Sequence, residues 1–327
     1  MTRFAARVST LAVVSIAALA FATLAGAQAY PSRPVKVIVP WPPGQATDIA
    51  ARLLGQKLQD SLGQPFVMDN RGGAGGSLGT ELFARAPADG YTLLAASSGP
   101  VSIMPSLQKV PYEPLKDFVL TGVVSRNPYA LVVAPNFPAA NAKEFIALLR
   151  ANPDKYTFSS SGTGATAHLI TELFNSMAGI KARHIPYKGS AQALTDVING
   201  QVSYTLETVA GTVAHIKSGR LKTFGVTTAK RAGALPDVPT LAEAADLKDL
   251  DAGAWIGYAA HAATPKEIVA RLAAETQKIL NDEEFKTRLL NAGLDPSPMS
   301  PDALPAFLKL EQERYAQIIR NAGIKME

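Results

Sequence analysis

The chain has 327 residues, no cysteine and a formal net charge of +5. That length suffices for two lobes with cores of their own, and 47% apolar with 18% charged residues excludes a disordered chain. The absence of cysteine excludes a disulfide framework, a thiolate metal site, a cysteine nucleophile and a lipid-modified cysteine.

Residues 1–29 have the form of an export signal. Arg3 and Arg7 supply a positive start, Leu11 to Leu24 is apolar apart from Ser15 and Thr23, and Ala27-Gln28-Ala29 fits a small-x-small cleavage site. The apolar run is shorter than the roughly 20 residues of a spanning helix. Cleavage after Ala29 is therefore expected, with Tyr30 as the mature start. Without Arg3 and Arg7 the net charge is +3, and no Lys/Arg stripe appears, so nucleic acid is not expected as a partner.

The mature chain alternates short β-rich runs with amphipathic helical patterns. Strands are predicted at Val35–Val39, Pro65–Met68, Tyr91–Ala96, Ala130–Ala134, Tyr156–Ser159, Ala182–Ile185, Val202–Leu206, Leu221–Thr227 and Trp255–Ala259. Several are apolar throughout, as parallel strands buried on both faces would be. Ile49, Leu53, Leu54, Leu58 and Leu62 form a helical stripe that stops at Gly63, and Leu169 to Met177 form another that stops at Gly179. Thr264-Pro265-Lys266-Glu267 reads as a capping box that opens a helix to about Leu280, and Ser300-Pro301 opens the last long helix. This alternation predicts an α/β fold of two doubly wound lobes with a ligand cleft between them. The chain is expected to cross between lobes near Pro128–Ala134 and Asp251–His261. Lobe 1 then comprises residues 30–129 and 253–327, and lobe 2 residues 130–252.

The turns at the strand ends carry the chemistry. Small, Gly-rich or hydroxyl-rich turns come after the first, second, third, fifth and sixth runs: Pro40 to Asp48, Asn70 to Ser77, Ser97-Ser98-Gly99, Ser160 to Thr166 and Pro186 to Ser190. In open α/β sheets ligands bind at this edge. Helix N-termini there offer free N–H groups and partial positive charge, glycine lets a ligand approach the backbone, and Ser and Thr add donors. A small carboxylate is the expected ligand. Each loop alone is better explained as a turn, with Thr47 or Asp48, Ser77 and Ser190 as helix caps, and it is their recurrence in both lobes that points to a ligand. Trp41 and Tyr187 either stack on a ring or wall the cleft, and Arg71 and Lys188 either neutralise a second carboxylate or pin their own loops.

Several of these segments resemble the Bug/TctC family, the solute receptors of tripartite tricarboxylate transporters. They are Tyr30-Pro31, Val35 to Asp48, Asn70 to Gly76, Ala88 to Leu93, Pro186-Tyr187-Lys188-Gly189, Pro236 to Ala244 and Ala322-Gly323-Ile324-Lys325. The likeness runs in order through essentially all of the mature chain. It implies a periplasmic, type II binding-protein fold without cofactor, metal or catalytic residue, and a membrane permease as partner; we expect a monomer. It also implies that the loop after the first strand and the Ser-Gly-Thr loop of lobe 2 hold a ligand carboxylate. Carried onto this sequence, those positions are Pro42, Pro43, Gly44, Thr47 and Asp48, with Ser160, Ser161, Gly162, Thr163, Gly164 and His168. Trp41, Ser97 and Tyr187 join them from the strand-end loops. Two departures stand out. Gln45 replaces the second glycine of the family's Pro-Pro-Gly-Gly, and Glu207 replaces an Asp. Glu207 is expected either to pair with Lys188 or a ligand cation, or to remain a solvated acid that repels polyanions.

A secreted serine hydrolase is the alternative, because Gly75-Gly76-Ser77-Leu78-Gly79 fits G-x-S-x-G. A nucleophile elbow sits directly at a strand end, whereas loop residues separate Ser77 from its strand. The segment is only near G-x-G-x-x-G and comes after the second strand, which argues against a dinucleotide site. His168, His184, His215 and His261 lack ligand-spaced partners for a metal.

Overall fold

The computed structural model describes residues 30–248 and 250–322. The export signal with its cleavage motif, and Gly323-Ile324-Lys325 of the family resemblance, lie outside the described residues. Nine strands form one curled, mixed sheet: β1 (Val35–Val39), β2 (Phe66–Asn70), β3 (Thr92–Ser97), β4 (Phe118–Val133), β5 (Thr157–Ser160), β6 (Arg183–Pro186), β7 (Tyr204–Thr208), β8 (Lys222–Val226) and β9 (Gly253–His261). The order is β2-β1-β3-β9-β4-β7-β5-β6, with β8 also on β4.

Two lobes share β4. From Phe118 to Pro128 it pairs antiparallel with β9; from Tyr129 to Val133 it pairs antiparallel with β7 and β8. β1, β2 and β3 are parallel in the first lobe, and β5, β6 and β7 in the second. The sequence places this strand's start at Ala130, twelve residues late. Pro128 is tolerated where the strand changes partners. The expectation that apolar runs are parallel also fails for β4 and β9, which are buried on both faces although antiparallel.

The principal helices are α1 (Ala46–Leu62), α2 (Ser77–Ala84), α3 (Ala142–Arg150), α4 (Thr166–Ala178), α5 (Ser190–Ile198), α6 (Val209–Lys217), α7 (Leu241–Ala245), α8 (Lys266–Leu280), α9 (Glu283–Asn291) and α10 (Leu304–Ala322). α1 ends at Gly63 and α4 at Gly179, both left-handed, as their stripes predict. The capping box lies elsewhere than expected. Thr264 makes no cap and α8 begins after Pro265, whereas Thr240 and Glu243 cap α7 reciprocally. Helices fill both faces. Val37, Leu54, Leu58 and Leu93 lie in one core of the first lobe, and Phe145, Phe158, Phe174 and Tyr204 in the second. Tyr315 and Ile319 of α10 pack on Ile103 and on Leu169 of α4, so the last helix touches both lobes.

Candidate functional site

Four helices that begin at the cleft loops share a feature that α6, behind the chamber-lining Thr208, lacks. α1, α2, α4 and α5 start after Gln45, Gly76, Ala165 and Gly189, and none of these residues caps its helix with a side chain. By contrast α3, α6, α7 and α9 are capped by Asn141, Thr208, Thr240 and Asp282. Away from the cleft, α8 behind Pro265 is likewise uncapped. Uncapped first-turn N–H groups need an acceptor, and an anion at the cleft would supply one. Thr47, Asp48, Ser77 and Ser190, read from the sequence as caps, lie inside their helices instead.

Two chambers lie where the lobes meet. The inner one, about 30 Å³, is bounded on the first lobe by Trp41, Gln45, Ala46, Thr47 and Ser97. Its opposite wall is Ser161, Thr166, Ser190, Glu207 and Thr208, with Tyr129, Ala254 and Ile256 at the crossing strands. The outer one, about 650 Å³, lies between Pro42, Gly72–Gly75, Met104 and Gln108 on one side and Ser161–Thr163 and Pro186–Lys188 on the other. Trp41 and Ser161 border both, and Trp41 is fixed by its Nε1, which donates to Ser97 Oγ at 2.9 Å.

The lobes touch around these chambers. A Cβ on Gly75 would stand 3.2 Å from the carbonyl of Thr163, and Gly75 has φ +62°, so the position demands glycine twice over. A Cβ on Gly189 would meet Gln45 Nε2 at 3.0 Å and Pro42 Cγ at 3.1 Å.

Of the residues expected to face ligand, Trp41, Gln45, Thr47, Ser97, Ser161 and Glu207 line the inner chamber. Pro42, Gly162, Thr163 and Tyr187 line the outer one. Pro43, Gly44, Asp48, Ser160, Gly164 and His168 line neither. Asp48 is buried beneath its loop. It accepts from Gly44 N–H at 2.9 Å, from Asn70 Nδ2 at 2.8 Å and from Arg52 Nε at 2.9 Å. Burial opposes its charge, but the bonds from Arg52, Gly44 and Asn70 prevail and hold its carboxyl below the usual range.

His168 and His184 underlie the Ser160–Gly164 loop as parallel rings 4.1 Å apart. His168 Nδ1 accepts from Gly164 N–H at 3.2 Å, and His184 Nε2 lies 2.7 Å from Ser160 Oγ. Burial pushes His168 down to about 4; burial, with His168 beside it, pushes His184 down to about 3. Both imidazoles are therefore neutral props of the loop at neutral pH.

Glu207 departs from two of its expected roles. It does not pair with Lys188, which borders the outer chamber, and it is not solvated. It is 5% exposed, accepting from Ser190 Oγ at 2.6 Å and from Thr208 N–H at 2.8 Å. Burial raises its carboxyl above the usual range, against the pull of those donors. Arg71 pins Asp69 at 2.8 Å, and the Tyr187 hydroxyl is held by Asp196 at 2.5 Å. Tyr129, Thr166, Ser190 and Thr208 escape the sequence argument as ligand-facing residues. Their only local signal is a hydroxyl near a strand end or helix start, which every cap shares.

Ser77 is not poised as a nucleophile. Its hydroxyl donates to Ala74 O at 2.7 Å. A Cβ on Gly79 would stand 2.6 Å from the Arg71 carbonyl and 2.8 Å from Pro40 Cα, so that glycine serves packing rather than an elbow. Ser77→Ala should leave ligand affinity within about twofold, since the lost bond is local. Calorimetry on the variant checks this, and a tenfold loss would place Ser77 in the site. Among the described residues no group of three or more His, Cys, Asp or Glu could hold a metal, and no helix is long and apolar enough to cross a membrane.

Two α/β lobes that share crossing strands and enclose a polar chamber define a binding protein of the periplasmic type. The family model described as "Tripartite tricarboxylate transporter family receptor" matches residues 50–324, and the chain belongs to that family. It is 36% identical to protein BugT of Bordetella pertussis over 97% of this chain and 98% of that one. An R. palustris protein solved with adipate superposes with a TM-score of 0.87 at 32% identity, covering 90% of this chain and 99% of the other. MatC from Rhodopseudomonas palustris with bound malate superposes with a TM-score of 0.82 at 31% identity, covering 89% and 100%. The chain is a solute-binding receptor and not an enzyme.

Proposed function

We propose that this receptor captures a small carboxylate and presents it to the membrane permease of a tripartite tricarboxylate-type transporter. In this reading it works in the periplasm as a monomer, exported and cleaved after Ala29. The lobe boundaries are taken at 129/130, where β4 changes partners, and at 252/253, where β9 begins. The observation that carries the reading is the set of bare helix starts around a chamber lined by Thr47, Ser161 and Thr166. Such a site holds an anion with backbone N–H groups and hydroxyls, needing no buried cation. The adipate and malate of the two solved relatives are ligands of that chemistry. A thermal-shift screen of small mono-, di- and tricarboxylates tests it. A ligand present at a hundred times its dissociation constant adds about 2.7 kcal/mol to stability, which is readily seen. If no carboxylate raises the melting point, the reading fails.

Ligand entry requires the lobes to part. A chamber of about 30 Å³ holds on the order of two waters. Since both lobes supply its walls, a bound ligand favours the closed arrangement by its extra contacts there. Small-angle scattering should show a smaller radius of gyration at saturating ligand than without it. An unchanged radius would rule out closure as the response to binding.

A further inference from the structure

Among the described residues, Glu207 is the one acidic group of the inner chamber, and no Lys, Arg or His joins it there. Its Oε1 accepts twice from Thr208, from the N–H at 2.8 Å and the hydroxyl at 3.0 Å. Its Oε2 accepts once, from Ser190 at 2.6 Å. A carboxylate has about four acceptor positions, so one is left, on Oε2. Across the chamber stands Gln45, whose buried Nε2 has no hydrogen-bond partner. That nitrogen lies against Gly189, the residue before Ser190. Two residues lining one small chamber thus carry an unspent donor from the first lobe and an unspent acceptor from the second.

We propose that the inner chamber selects a carboxylic acid that bears a hydrogen-bond donor, a hydroxyl or an ammonium, beside its carboxyl group. Gln45 Nε2 and the bare helix starts take the carboxylate, and Glu207 Oε2 takes the donor. The assignment rests on the receptor reading above and narrows its ligand class. A second carboxylate in the same space would set an anion against a buried acid with no cation to offset either. A hydroxyl or ammonium there instead completes the acceptor set of Glu207. The restriction concerns only the inner end of the ligand, because Lys188 borders the outer chamber, where a remote carboxylate meets a cation.

Calorimetry on the mature protein tests this with matched triplets: propanoate, lactate and alanine; succinate, malate and aspartate; glutarate, 2-hydroxyglutarate and glutamate, in both enantiomers where they exist. In every triplet that binds, a donor-bearing member should bind at least about tenfold tighter than the unsubstituted acid. The hydroxy and amino members distinguish the two donors. Equal or tighter binding of the unsubstituted acid overturns the proposal and leaves the receptor reading intact. No binding by any triplet overturns the proposal, and no response in the wider screen overturns the receptor reading as well. In Glu207→Gln the amide oxygen should stay on the fixed N–H of Thr208, putting an NH2 in place of Oε2. The preference should then shrink to about twofold or less. Circular dichroism and the melting point establish that this variant is folded. If it does not fold, the wild-type ranking decides alone. A preference that survives at tenfold in the folded variant overturns the assignment of Glu207.

Discussion

Asp48→Ala should cost the protein roughly 2–4 kcal/mol of stability and at least about tenfold in ligand affinity, although Asp48 borders neither chamber. Its carboxylate, 2% exposed, is the common acceptor for Gly44 N–H at the loop tip, Asn70 on the neighbouring strand and Arg52 one helical turn on. Removing it takes the shared acceptor from the Gly44 N–H, leaves Asn70 Nδ2 with only its bond to the Trp41 carbonyl at 3.0 Å, and frees the loop whose far side carries Gln45 and Thr47. Arg52 is half exposed and can return to water, so the loss falls chiefly on the loop. For a chain of this size the melting point should drop by about 5–10 °C. Asp48→Asn keeps one acceptor for Asn70 and loses the charge-assisted bond to Arg52, so it should fall between the two. Denaturant titration and calorimetry on both variants check this. Wild-type affinity in a folded Asp48→Ala protein would mean that the loop holds its shape without the carboxylate.

The second large effect is acid lability centred on the paired imidazoles. His168 and His184 have folded values of about 4 and about 3, both below the ordinary 6.5 because they are buried. The unfolded chain therefore takes up protons as the pH falls below 6.5, while the native state does so only near 4 and 3. Their contribution is fully present above pH 6.5, is lost progressively as the pH falls through that window, and stops changing below about 3. For His168, which is 6% exposed, the loss is on the order of 3 kcal/mol. Asp48, whose folded value is depressed, adds a further loss below its ordinary 3.8. Glu207 works the other way. Its value is raised by burial, so protonation on the way down to 4.5 relieves a cost of the native state. Because Gly164 and Ser160 rest on the two rings, ligand affinity should decline only where the folded imidazoles themselves charge, near pH 4 and 3. Unfolding free energies at pH 7, 5.5 and 4 for the wild type and for the double variant His168→Gln/His184→Gln test this. The wild type should lose stability more steeply, and parallel slopes would show that the histidines are not the titrating groups.

Much of this molecule is legible before folding because the deciding interactions are local. Gly63 and Gly179 end their helices through the left-handed conformation each supplies. The run from Val35 to Val39 is a strand because its side chains pack on both sides. The loops after β1, β2, β5 and β6 announce a ligand edge by composition alone. The sequence also shows Gln45 and Glu207 as the residues to watch.

What it does not show is direction. Gln45 turns its amide toward Gly189 of the other lobe, and Glu207 buries its carboxyl between Ser190 and Thr208. Asp48, a neighbour of Thr47 in sequence, faces away from the chamber that Thr47 lines. The pairing of His168 with His184, sixteen residues apart, depends on β5, β6 and α4 meeting in space. So does β4, whose first twelve residues are not read as strand from the sequence and are held mainly by β9. Strand, helix and cap are chosen by neighbours within a few residues. Which polar group is buried, shared or left open is chosen by partners from distant segments, and only the tertiary packing of those segments brings the partners within hydrogen-bonding reach.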